Sequence, residues 1–153
     1  MSEFERPVCL PVLALRGLCV FPKMLTHFDV GRKSSMAAVE EALREDQQIF
    51  LVTQKDVETD HPKRNDLYTV GTVSIVKQVL RLPGENMRIL VEGQYRAELL
   101  DIVQSEPYLF GRMQKLEELP YNHSLPRVEA LLRQAHSQFE QFAELSGRNM
   151  QEA

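Results

Sequence analysis

Apolar positions change their spacing several times along the chain, and each change marks an element. Val8 to Leu15 is nearly all apolar and interrupted by Pro11, which predicts an edge or bulged strand. Arg16-Gly17 makes a corner, Leu18 to Phe21 reads as a second short extended piece, and Pro22 closes it. Leu25 to Val30 continues as strand until Gly31, where the backbone needs positive φ or close packing. The period then lengthens. Met36, Val39 and Leu43 fall three and four residues apart with Ala42 beside them, predicting a helix from about Ser35 to Glu45. Ser34 or Ser35 would cap it, and Glu40 with Arg44 would form an i,i+4 pair. Ile49 to Thr53 reads as a buried strand, and Lys55 to Asp66 as a long polar loop containing Pro62.

Val70 to Leu82 is the longest strand signal. Val73 and Ile75 share one face while Val76, Leu80 and Leu82 take the other, which predicts a β-bulge near Val76-Lys77. Leu82-Pro83-Gly84-Glu85 has the order of a type II turn. Met87, Ile89 and Val91 then alternate with Arg88, Leu90 and Glu92, giving a hairpin that Gly93 is expected to break. Tyr95 to Val103 and Tyr108 to Leu116 supply two further strands around Pro107. Many short strands with one interposed helix fit a compact, partly closed β-structure. A new regime starts at Leu119-Pro120. Tyr121 to Pro126 reads as a linker, with Ser124 as a cap and Pro126 in the first helical turn. Val128, Leu132, Ala135, Phe139 and Phe142 then recur at helical spacing, Leu131 and Leu145 widen the stripe, and Gly147 stops it. This stripe has no partner in its own chain except the β-rich part. Residues 1–118 are therefore expected to form one β-domain and 119–153 a linker and the start of a helical part.

Composition narrows the functional classes. A chain of 153 residues holds one domain with a real core and an appendage. The net charge of −4, with nothing more basic than the pair Lys63-Arg64, argues against a nucleic-acid surface. The apolar stretch from Val8 to Phe21 is broken by Pro11 and Arg16-Gly17, short of the roughly 20 residues of a membrane span. Met1 to Arg6 is acidic, a poor secretory signal, so a cytoplasmic protein is expected. Cys9 and Cys19 lack metal-ligand spacing and are expected to be buried, reduced thiols.

Motifs that carry chemistry are weak. Gly31-Arg32-Lys33-Ser34 resembles a phosphate loop only superficially, because the lysine does not follow glycine and Thr26 stands at the first glycine position. A strand-to-helix corner with a solvated Arg-Lys pair is expected instead. Ser74-Ile75-Val76-Lys77 fits S-x-x-K, but residues three apart on a strand face opposite ways, so an ordinary solvent-facing Ser and Lys are expected. Asp56, Glu58, Asp60 and His61 mimic half a calcium loop, yet His61 replaces its glycine and Leu67 its last glutamate. A solvated loop is the plain alternative. His27, His123 and His136 are isolated in sequence, so no triad follows.

The run Leu10 to Met24, with Leu10-Pro11-Val12-Leu13-Ala14-Leu15-Arg16-Gly17 and Val20-Phe21-Pro22, closely resembles the opening of the N-terminal domain of the Lon ATP-dependent serine proteases. Gln54-Lys55-Asp56, Asp66-Leu67-Tyr68-Thr69-Val70-Gly71, Leu82-Pro83-Gly84 and Ile89-Leu90-Val91-Glu92-Gly93 followed by Arg96 resemble later landmarks of that family, in order. Ala14 and His27 stand where the family often has proline, and Gly17 where it often has Asp or Asn. The resemblance implies a mainly β, α+β fold: a PUA-like, partly closed β-barrel with one interposed helix, followed by an amphipathic helix that begins a helical subdomain. It also implies a non-catalytic substrate-recognition and assembly module. ATP and Mg would belong to the AAA+ motor and the Ser-Lys dyad to a protease domain, with no catalytic residue, metal or cofactor in this chain.

A receptor for unfolded or misfolded polypeptides needs exposed apolar side chains, flexible methionines and perhaps an open strand edge. Phe21, Met24, Met36 and Met87 are candidates, with Arg32 and Lys33 at the rim; core packing is the alternative for each apolar residue. Val128, Leu132, Ala135, Phe139 and Phe142 are candidates for pairing with a second copy, and a homo-oligomer is expected in the full protein. A stand-alone adaptor of the same fold, a PUA-like RNA-binding module and, weakest, a small enzyme remain the rival readings.

Overall fold

The computed structural model describes residues 6–117 and 125–147. In chain order the elements are β1 (Val8–Leu15), β2 (Leu25–Val30), α1 (Lys33–Arg44), β3 (Gln48–Thr53), β4 (Val70–Leu82), β5 (Asn86–Gln104), β6 (Leu109–Lys115) and α2 (Pro126–Ser146). They fall into two compact units, Met1–Glu117 and Glu118–Ala153.

The first unit is built on one six-stranded sheet of order β2-β5-β4-β3-β1-β6. β5 also pairs with β6, so β5, β4, β3, β1 and β6 form a ring and β2 hangs outside it on β5. β1 and β3 run parallel and the other neighbours antiparallel. Beyond Ile75, β4 has left β3 and pairs with β5 alone. The ring therefore extends into a three-stranded ribbon of β2, the first half of β5 and the second half of β4.

Strand alternation splits the apolar residues between two cores. Val12, Ala14, Phe50, Val52, Val73, Ala97, Leu99 and Met113 fill the ring. Leu13, Leu15, Ile49, Leu51, Val76, Met87, Ile89 and Val91 pack instead with Ala38, Val39 and Ala42 of α1. β4 and β5 serve both cores because their register shifts at Val73/Ser74 and Val76/Gln78. An extra residue in a pleated strand turns every later side chain to the other face. The face change expected near Val76-Lys77 is this feature.

Several local expectations are corrected. Leu18 to Phe21 is not a strand. Gly93 does not end β5, which runs on to Gln104. Instead, a Cβ at Gly93 would lie 2.2 Å from the Phe21 carbonyl oxygen, so glycine admits the chain there. The Lys23 N–H donates to the Gly93 carbonyl at 2.8 Å, and the Gly93 N–H donates to the Met24 carbonyl at 2.9 Å. Pro11 marks no edge: β1 lies between β3 and β6, and Pro11 precedes Val12, where pairing with β3 begins. α1 has Arg32 as its N-cap with no side-chain cap, and Ser35 is buried. Glu40 reaches across to Arg81 at 3.2 Å while Arg44 pairs with Glu41, one residue nearer than the expected partner. Cys9, at the outer start of β1, and Cys19, in the irregular segment after the corner, are both exposed rather than buried. Ser74 is buried, on the same inward face of β4 as Thr72 and Val76, and Lys77 is exposed and paired with Glu92 at 3.4 Å.

The second unit contains α2. Pro126 opens it, and Gly147 ends it in the left-handed region at φ 69°. Its N-cap is Leu125, with no side-chain cap; Ser124, His123 and the expected linker and domain boundary lie outside the described residues. None of Val128, Leu132, Ala135, Phe139 and Phe142 is buried.

Candidate functional site

The six residues expected to form one binding surface lie in separate places. Phe21 is 51% exposed, with the Arg96 guanidinium over its ring at 5.4 Å. Met24 is half-buried and fixed through its carbonyl to Gly93. Lys33 and Met36 line a groove of about 330 Å³ between α1 and the β4–β5 hairpin, with Ala37, Glu40, Arg81 and Asn86. Arg32 is not solvated: it is half-buried, and its Nη2 donates to the Ala14 carbonyl at 2.7 Å. Met87 is 1% exposed and belongs to the α1 core, because it shares the inward face of β5 with Ile89 and Val91. It cannot touch a partner.

The apolar surface that does stand open is the outer face of the ribbon. Leu25 is 60% and Leu80 56% exposed, and Leu90 is half-buried between them. In register, Leu90 lies opposite His27 on one side and Gln78 on the other, and Leu80 lies opposite Arg88. Together with Ile89 and Val79 these residues line a groove of about 350 Å³. The charges at its rim are paired. The Arg88 Nε donates to Asp29 Oδ1 at 2.7 Å, and Lys77 pairs with Glu92. That hydrogen bond from Arg88 holds the Asp29 carboxyl below its usual value of 3.8 and raises Arg88 in turn. Charges that satisfy each other leave an apolar centre with little net field, which suits apolar side chains of either flanking charge. β2 adds a strand edge, since among the described residues it pairs with β5 only. A signal for this surface exists in the sequence: Leu90 is the apolar member of the otherwise polar set Arg88, Leu90, Glu92.

The acidic loop has a structural role. The buried Gln54 donates from Nε2 to the carbonyls of Asp56 and Thr59, at 2.7 and 2.9 Å, and Asp56 accepts from the Glu58 N–H. Asp60 pairs with Arg16 at 3.3 Å. Among the described residues no three His, Cys, Asp or Glu side chains gather to hold a metal, and no helix is long and apolar enough to cross a membrane.

A β-ring with a helix against its flank and an outlying edge strand is the fold of Lon N-terminal domains. The N-terminal domain of Mycobacterium avium complex Lon protease superposes with a TM-score of 0.67 at 18% identity, over 92% of this chain and 70% of that one. The Lon N-terminal domain protein of Xanthomonas campestris gives 0.56 at 14% identity, over 76% and 68%. Residues 9–153 match the family model of the ATP-dependent protease La (LON) substrate-binding domain, and the chain belongs to that family. Among curated relatives, it is 44% identical over 137 residues to the Lon protease of Syntrophomonas wolfei, 45% over 137 to that of Heliobacterium modesticaldum, and 39% over 145 to Lon protease 1 of Bacillus subtilis. These alignments cover 90%, 90% and 95% of this chain. The chain spans 17% of the length of the first two relatives and 18% of the third.

Proposed function

We propose that this chain recognises protein substrates for a Lon-like ATP-dependent serine protease, by capturing exposed apolar segments of unfolded or misfolded polypeptides on the outer face of the ribbon. The observation that carries this reading is the exposure of Leu25 and Leu80 beside Leu90, on a face where neighbouring charges are already paired. Phe21 and Met36 extend the apolar surface as secondary contacts, with Lys33 at the rim. In this reading ATP, Mg and peptide hydrolysis belong to AAA+ and protease regions of the whole protein, which works in the cytoplasm. Each capture is weak, and several copies around a motor raise the apparent affinity through effective concentration. The stripe of Val128, Leu132, Ala135, Phe139 and Phe142 on α2 serves that assembly by pairing with a second copy; sedimentation giving only monomer at high concentration removes that part.

The capture reading is tested by anisotropy titration with a labelled, reduced and carboxymethylated polypeptide. Leu25→Ser combined with Leu80→Ser is expected to weaken binding about thirtyfold, from the roughly 1 kcal/mol that half-burying each of the two leucines contributes. Unchanged affinity in the double variant contradicts it.

A further inference from the structure

A second groove, of about 400 Å³, opens on the other face of β2, between its free edge and the end of β1. Leu15, Leu18, Phe28 and Val30 supply its apolar walls, and Arg16 and Arg32 its charge. Both flanking strands have backbone to offer. β1 pairs with β6 only as far as Val12, so Leu13 to Leu15 are paired on the β3 side alone. The Leu15 carbonyl takes the Gln54 N–H on that side, so the Ala14 carbonyl, one residue earlier, faces the other way. Arg32 is what meets it, at 2.7 Å. Among the described residues β2 has no neighbour on this edge.

The charge in the groove is unbalanced. Asp29 also lines it but is committed to Arg88. Asp60 is the acid that faces Arg16 and, through its carbonyl at 3.4 Å, Arg32. Burial, and next the nearby charge of Arg16, pull the Arg32 guanidinium below its ordinary value, with Asp60 opposing them. A guanidinium carries five N–H donors. The bonds made by Arg32 (to Ala14 and, long, to Asp60) and by Arg16 (to Thr59 and Asp60, at 3.5 and 3.3 Å) leave donors on both for an incoming carboxylate.

The groove is short. It takes in Leu13 to Leu15 of one strand and Phe28 to Val30 of the other. At its end the chain leaves β2 through Gly31-Arg32 and enters α1 at Lys33, and Ser35 of the first turn lines it there. A polypeptide passing through would have to cross that turn, whereas a polypeptide that stops needs no exit. We propose that this groove binds an apolar carboxy-terminal segment of a polypeptide, its backbone along the open edge of β2 and its terminal carboxylate held by Arg16 and Arg32. This site is separate from the outer face of the ribbon and goes beyond the capture of internal apolar segments.

The test uses the 153-residue chain and a fluorescein-labelled peptide ending Val-Leu-Val-Leu, in three forms: free acid, carboxy-terminal amide, and an amide with Glu in place of the last Leu. The free acid is expected to bind about tenfold more tightly than either amide, the size of one charge-assisted, bidentate contact. Arg16→Gln is expected to bring the acid down to the level of the amide without changing the circular dichroism. Arg32→Gln does the same but also releases Ala14, so Arg16→Gln carries the decision. Leu25→Ser with Leu80→Ser leaves the acid-to-amide ratio unchanged, which separates failure here from failure of the outer-face reading. The proposal is overturned if the acid and the amide bind alike or not at all, if the Glu amide matches the free acid, or if Arg16→Gln keeps the discrimination.

Discussion

The two halves of β5 share one continuous backbone yet live in different surroundings. Ala97 to Gln104 runs beside β6, and its inward residues Ala97 and Leu99 are sealed inside the ring. Asn86 to Glu92 runs between β2 and β4 in the ribbon; its inward residues Met87, Ile89 and Val91 lie against the α1 core, while Leu90 points the other way, onto the face where Leu25 and Leu80 stand exposed. The ring half spends its apolar side chains on stability. The ribbon half keeps some of them at the surface, where they can be used for contact with another chain. Gly93 and the bulges at Lys77 of β4 and Gln94 of β5 are the switch between the two, and they let one hairpin do both tasks.

The sharpest way to break this comparison is to truncate one apolar residue in each half. Phe50→Ala empties the ring of its largest fully buried side chain and is expected to lower unfolding free energy by about 3–5 kcal/mol in urea. Leu80→Ala, at a 56% exposed position, is expected to stay within about 0.5–1 kcal/mol of the parent. Equal losses would erase the distinction between a structural half and a binding half. A smaller but more local effect is expected at the switch. Gly93→Ala forces a Cβ toward the Phe21 carbonyl and should cost about 2–3 kcal/mol, with amide shifts concentrated at Phe21 to Met24. Amide shifts spread evenly over the ring would show that Gly93 does not hold that segment.

The smallest effect concerns the ribbon's rim. Asp29 has a folded value depressed below 3.8 by Arg88, so its contribution is present above pH 3.8 and is lost as pH falls through the lowered value. In Arg88→Gln the Asp29 carboxyl should titrate back toward 3.8, read by carboxyl NMR. A titration unmoved by the substitution would mean that the rim charges are not paired in solution.

Much of this architecture is legible in the sequence, for reasons that differ by element. β4 shows its limits through alternation, and its change of apolar face announces the bulge. α2 is readable because Pro126 and Gly147 are local signals at its ends. The segment Phe21 to Met24 is not readable as it stands, because its path is set by hydrogen bonds to Gly93, some seventy residues away in the chain. The same reason defeats the placement of the binding residues. Alternation sets Met87 and Leu90, three apart, on opposite faces, but only the packing of α1 against one of those faces decides that Met87 is buried and Leu90 half-open. The cysteines follow suit: residue type favours burial, but Cys9 and Cys19 occupy positions that neither core reaches.

The central claim, that an apolar face left open on the ribbon captures other chains, is tested most directly by methyl NMR. Titrating a reduced, carboxymethylated polypeptide into the isotope-labelled chain should shift and broaden the methyls of Leu25, Leu80 and Leu90 first, while Leu99 and Val73 inside the ring stay fixed. Perturbation confined to α2, or none on the ribbon at saturating polypeptide, would contradict it.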